Sequence, residues 1–162
     1  MHFFKSWGFK AILVVNVSFA PVVLAQDCGD ACTETIPFDV ASDFLIVVKG
    51  QVGPLDGLRF ILDTGASSSV ADRKVADRLQ LKRHSGRTMT FDHSIPVEWA
   101  DIPEIRIGPL REEGIRVTVV DLARYSDYGK SADGILGLDF LSRVTRFTID
   151  YDTRTVEFLQ DA

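Results

Sequence analysis

The sequence predicts an all-β domain, a barrel or a sandwich, on three observations. Apolar residues recur with a period of two over many short stretches, glycine and proline turns separate those stretches, and helical spacing is confined to short segments. Phe44–Val48 is the first β-branched and aromatic run, and Gly50–Gly57, with Gly53, Pro54 and Asp56, reads as a turn region. Leu58–Leu62 is a second strand, so the two runs predict a hairpin. Asp72–Leu79 predicts a short helix: Val75, Ala76 and Leu79 share a face, and Asp72 suits the amino-terminal cap. After a polar break at Ser85 and Gly86, alternation returns, with Met89 and Phe91 in one phase and Ile95, Val97 and Trp99 in another. Ile105 and Ile107, then Ile115, Val117 and Val119, continue the strands around a turn at Gly108 and Pro109. Residues 123–132 form a polar loop with tyrosines, Gly134–Gly137 is a short apolar stretch, and Asp139–Arg143 has room for one helical turn. The last element is a hairpin: Phe147, Ile149 and Tyr151 alternate, Asp152–Arg154 turn, and Val156 and Phe158 return.

Residues 1–25 differ from the rest. Lys5 and Lys10 are their only charged side chains, Ala11–Ala25 is an apolar run broken by Asn16, Ser18 and Pro21, and Val23, Leu24 and Ala25 are the short residues a signal peptidase reads. This pattern predicts a secretory signal cleaved after Ala25. The run is shorter than the roughly 20 residues of a membrane span, so an uncleaved anchor is the lesser alternative. The expected organisation is a signal at 1–25, an N-terminal segment at 26–37, and one domain at 38–162. The expected location is the periplasm or the outside of the cell. Asn16 is the only asparagine, so no N-glycosylation acceptor follows the signal.

Removing the signal leaves 16 basic residues against 23 acidic ones, a net charge of −7. That balance argues against a nucleic-acid partner, which needs a clustered basic face; Lys82, Arg83, His84 and Arg87 read as a solvated loop. Cys28 and Cys32 are the only cysteines and could close a small loop in an oxidising compartment. Gln26 and Asp27 separate Cys28 from the small residues of the signal, which argues against a lipid anchor. Two thiols without a nearby histidine make half a metal site, and His84 and His93 have no ligand spacing, so neither a metal nor a cofactor is expected. Gly65, Ala66, Ser67, Ser68 and Ser69 lack the second glycine of a serine nucleophile elbow.

One carboxylate stands out. Asp63, Thr64 and Gly65 follow directly on the apolar run Phe60, Ile61 and Leu62. Taken alone, the triplet reads equally well as a turn, in which Asp63 bonds backbone amides and Gly65 adopts a positive φ. Its context is more specific. Asp63, Thr64, Gly65, Ala66 and Ser67 after an apolar strand, the short helix that follows, and Ala132–Leu141, containing Ile135, Leu136 and Gly137, resemble the retropepsin-like aspartic proteases. Ile149, Asp150 and Tyr151 resemble that family's closing strands, and the likeness runs from about residue 40 to residue 160.

The resemblance implies a small closed barrel of the acid-protease type with one or two short helices. It also implies an aspartic endopeptidase acting on proteins or peptides. Amide hydrolysis needs a base for the water's proton and an acid for the leaving nitrogen, and two carboxylates sharing one proton supply both. Such a pair titrates in two macroscopic steps. The triplet occurs once in this chain, so the resemblance implies a homodimer in which two copies of Asp63 meet at a two-fold axis. By the same resemblance, Thr64 would lock the two loops together and Gly65 would let the backbone turn close to the substrate. Ala66 replaces the serine of pepsin-like enzymes, which implies a working pH from mildly acidic to near neutral. Ser67 would support the loop, while Ile135, Leu136 and Gly137 would pack behind it, with Asp139 also structural. The family's covering hairpin should fall between Thr88 and Asp101, where Phe91, Asp92, His93, Ser94, Ile95 and Pro96 include no glycine. The alternative function is a non-catalytic exported module that uses the same dimeric barrel to bind peptides or a protein partner.

Overall fold

A computed structural model describes residues 32–89, 94–124, 132–144 and 146–160. The signal segment, Cys28, Phe91–His93 and the tyrosine-bearing loop 125–131 lie outside the described residues. The strands are β1 (Cys32–Ala41), β2 (Leu45–Val52), β3 (Leu55–Leu62), β4 (Val70–Asp72), β5 (His84–Met89), β6 (Ser94–Ile107), β7 (Leu110–Val120), β8 (Gly134–Leu136), β9 (Arg146–Asp150) and β10 (Thr155–Gln160). Two short helices, α1 (Arg73–Arg78) and α2 (Leu138–Leu141), and a 3₁₀ turn at Leu122–Arg124 complete it.

The strands follow the order β5-β6-β7-β4-β8-β3-β2-β1-β10-β9. A second pairing, Gln51 with Arg106 and Val52 with Ile105, joins β2 back to β6 and closes six strands into a ring. Closure depends on Gly50: a Cβ there would overlap Ile107 Cδ1 and lie 2.7 Å from the Arg106 carbonyl oxygen. The expected turn region at 50–57 is therefore corrected. Gly50–Val52 and Leu55–Gly57 belong to strands, and the turn itself is Gly53 and Pro54. Glycine marks a close backbone approach at Gly50, a use that sequence cannot separate from a turn.

Two further expectations are corrected. Cys32–Pro37, placed in the N-terminal segment, forms the first half of β1 and pairs in register with Gln160–Thr155. Phe44 and Tyr151 sit in turns rather than strands, at 68% and 61% exposure. Tyr151 meets the edge of Phe38, with ring centroids 5.7 Å apart.

The main core combines Val48, Val52, Phe60, Ile107 and Leu136 of the ring strands with Phe140 of α2 and Phe158 of β10. A second cluster, with Val47, Ile61, Leu122 and Ala132 at its centre, covers the opposite face of β2 and β3. Val47 and Val48, like Phe60 and Ile61, are thus buried on opposite faces, which is why Leu45–Val48 and Phe60–Leu62 are unbroken apolar runs. Helix α1 follows the sequence: Asp72 Oδ1 accepts the Lys74 N–H at 2.8 Å, Leu79 is the carboxyl-terminal cap, and Val75 and Ala76 are buried. Asp72 Oδ2 also accepts the Leu122 N–H at 3.0 Å, joining the helix start to the end of β7.

The closing hairpin carries its own acid sensitivity. The backbone N–H of Thr153, then its hydroxyl, hold the Asp150 carboxyl below the ordinary value of 3.8, with the Asp152 N–H assisting. A carboxyl lowered on folding adds stability above its unfolded value, about 3.9, and loses it as pH falls through the folded value. The turn is therefore expected to loosen below pH 4, and Asp150→Asn to remove that dependence. The Thr153 amide signal followed by NMR across pH 2–6 checks this; an identical acid response in both chains would rule it out.

Candidate active site

The end of β3 places Asp63. Strands β3 and β8 run parallel, pairing Phe60 with Gly134, Ile61 with Ile135 and Leu62 with Leu136. The Asp63 N–H continues that ladder by donating to the Leu136 carbonyl at 3.0 Å. The backbone then turns: the Gly65 N–H donates to Asp63 Oδ1 at 2.8 Å, and the Ala66 N–H to the Asp63 carbonyl at 3.3 Å. Asp63 and Ala66 are half-buried, whereas Thr64, Gly65, Ser67 and Ser68 are exposed.

The segment after β8 supports this loop from behind. The Leu138 N–H donates to the Ala66 carbonyl at 2.8 Å. Gly137 is buried against the loop backbone, and a Cβ there would lie 2.8 Å from both the Ala66 carbonyl oxygen and the Ser68 carbonyl carbon. Asp139 forms the firmest brace. Both its carboxylate oxygens lie 2.9 Å from the Ser69 N–H, and Oδ1 accepts the Ser69 hydroxyl at 2.6 Å. Ser69 Oγ in turn accepts the Gly137 N–H at 3.0 Å, and Ser69 is only 2% exposed.

The structure thus brings Asp63, Thr64, Gly65 and Ala66 against Ile135, Leu136 and Gly137. Leu136 and Gly137 lie behind the loop, while Ile135 faces the other way, into an open cleft. The supporting hydroxyl is that of Ser69, which sequence reasoning missed, rather than that of Ser67, which is exposed along the cleft. The one signal for Ser69 was its place directly before the apolar pair Val70 and Ala71.

That cleft, about 470 Å³, is bounded by Gly65–Ser68 on one side and by Thr88, Ile95 and Val97 of the β5–β6 hairpin on the other. Ile61, Val70, Ile135, Val120 and Leu122 make much of its remaining wall, together with Thr118. Among the described residues, no charged side chain lines it, and such a wall favours apolar groups. The neighbouring aspartates are engaged elsewhere: Asp139 as above, Asp133 with the Arg59 N–H at 2.8 Å and Lys74 Nζ at 3.3 Å, and Asp72 at the helix cap. Asp63 stands two residues before Gly65, where the loop begins to line the cleft. Among the described residues, no three histidine, cysteine, aspartate or glutamate side chains converge as metal ligands, and no helix is long and apolar enough to cross a membrane.

Comparison with known proteins agrees with this geometry. The family model described as aspartyl protease matches residues 48–140, more than half of the chain, and spans both Asp63 and the β8–α2 segment. A retropepsin-like aspartic protease from Rickettsia conorii superposes with a TM-score of 0.56 at 20% identity, covering 83% of this chain and 96% of that one. The retroviral protease-like domain of Ddi1 from Leishmania major gives a TM-score of 0.47 at 15% identity, over 73% of this chain and 94% of that one. A search of curated proteins found no match. The chain belongs to the aspartyl protease family, and its ring of strands has the retropepsin-like fold.

Proposed function

We propose that this chain is an exported aspartic endopeptidase, active as a homodimer in which two copies of Asp63 form the catalytic pair. The observation that carries the reading is the placement of Asp63: held by β8 and the Gly65 amide, directly before the loop residues that line a cleft with no charge among its described lining, while Asp72, Asp133 and Asp139 are engaged elsewhere. A single carboxylate cannot be base and acid in the same step. Two of them, about 3 Å apart across a two-fold axis, share one proton, so the ionised one takes a proton from water and the neutral one supplies the proton that frees the leaving nitrogen. Thr64 and Gly65 are exposed on the loop, and in this reading they meet their counterparts in the second chain. Ala66 offers the carboxylate no side-chain donor, so the working range is expected to be mildly acidic to near neutral. The substrate is a protein or peptide in extended form, with apolar side chains at the cleft.

The test is cleavage of unfolded proteins by the chain from pH 3 to 8, over a dilution series. Activity per chain should fall as the dimer dissociates, because both carboxylates are needed at one site. Activity per chain that stays constant while sedimentation shows monomers would overturn the shared site. Folded dimers that cleave nothing across the range would favour the peptide-binding alternative.

A further inference from the structure

Along β6, Ile95, Val97 and Trp99 alternate onto one face, and the first two line the cleft. Trp99 lies one step beyond, paired in register with His84 on β5 and with Thr118 on β7, itself a cleft residue. The His84 ring stacks on the indole with centroids 4.4 Å apart and planes 17° from parallel. The Arg116 guanidinium of β7 lies 4.0 Å from the indole centroid, and Asp101 holds Arg116 at 3.1 Å. Because β5 and β7 flank β6 on opposite sides, the indole is gripped from both. Gly86 makes room for it: a Cβ there would lie 3.0 Å from Trp99 Cδ1 and 3.1 Å from Nε1, so the pyrrole edge of the indole packs close to β5.

Strand β5 ends the sheet and, among the described residues, pairs with β6 alone. Its angle to the ring therefore depends on that one ladder and on whatever ties it to β7. The His84–Trp99–Arg116 stack is such a tie. We propose that Trp99 is a positioning residue: it sets how the β5–β6 hairpin stands over the cleft, and through Thr88, Ile95 and Val97 it sets how tightly substrate is held. This rests on the peptidase reading above. Trp99 is not in the loop that carries Asp63, which has its own brace in Asp139 and Ser69, so its loss acts on KM and spares kcat.

Hydrogen exchange and peptide hydrolysis of the full chain, with Trp99→Ala, Trp99→Phe and Gly86→Ala, test this. In Trp99→Ala the hairpin amides of 84–88, 95 and 97 should exchange about tenfold faster, and KM should rise about tenfold, as expected for loss of an aromatic and a cation–π contact. The amides of 60–70 and 134–141 should be unchanged. Trp99→Phe should recover most of the effect, and Gly86→Ala, which keeps the indole but crowds its edge, should reproduce part of it. Unaltered hairpin exchange in Trp99→Ala overturns the proposal, as does faster exchange throughout the ring or an unchanged KM. If the unsubstituted chain cleaves nothing, the peptidase reading fails separately, and hairpin exchange still decides the role of Trp99.

Discussion

Asp63→Asn is expected to leave the fold and the dimer in place while slowing peptide hydrolysis by roughly 10²–10⁴-fold, the usual contribution of positioned acid–base groups. Asparagine has the same shape as aspartate and keeps an oxygen that can accept the Gly65 N–H, now made to Oδ1 at 2.8 Å. It cannot take a proton from water. Substitution therefore separates chemistry from architecture, which alanine would not. Sharing of the site adds a second, sharper expectation. Mixed with an equal amount of unsubstituted chain, random pairing leaves about a quarter of the dimers with two carboxylates, so activity should fall below the half that simple dilution predicts. Unimpaired hydrolysis by the pure variant would remove Asp63 from the mechanism. An inactive variant that does not poison the mixture would keep Asp63 but place a complete site in one chain.

The largest expected effect on stability belongs to Asp139→Ala. Its carboxylate accepts the Ser69 N–H and the Ser69 hydroxyl, and Ser69 is buried. Truncation leaves both donors without that acceptor, at about 1–3 kcal/mol for each buried polar group. A total loss of about 2–6 kcal/mol in urea unfolding is therefore expected. Activity should fall with it, because the same contacts fix the loop on which Asp63 sits. Ser69→Ala should cost less, about 1–3 kcal/mol, since the Ser69 N–H keeps the carboxylate and one buried donor, the Gly137 N–H, loses its acceptor. Asp139→Ala within about 0.5 kcal/mol of the unsubstituted chain would show that water replaces the carboxylate and that the loop is held by its backbone bonds alone.

Much of this architecture was legible residue by residue. Period-two alternation located β6, β7, β9 and β10, because each strand has one buried face and the pleat reports it directly. The helix was legible from Asp72 to Leu79 because cap and apolar face lie within one short window. Asp63 stood out because a charged residue directly followed a strand buried on both faces.

Ring closure through Gly50, the inclusion of Cys32–Pro37 in β1 and the brace between Ser69 and Asp139 were not legible. Each joins residues far apart in the chain: Gly50 faces Arg106, Cys32 pairs with Gln160, and Ser69 bonds Asp139. Local sequence by itself determined the strand class, the one capped helix and the position of the half-buried carboxylate Asp63, because pleat, helical pitch and cap chemistry act over a few residues. Only the tertiary structure decided which serine holds the loop, which glycines are close approaches rather than turns, and which aspartates are engaged elsewhere, because those follow from side chains that meet only after the sheet has closed.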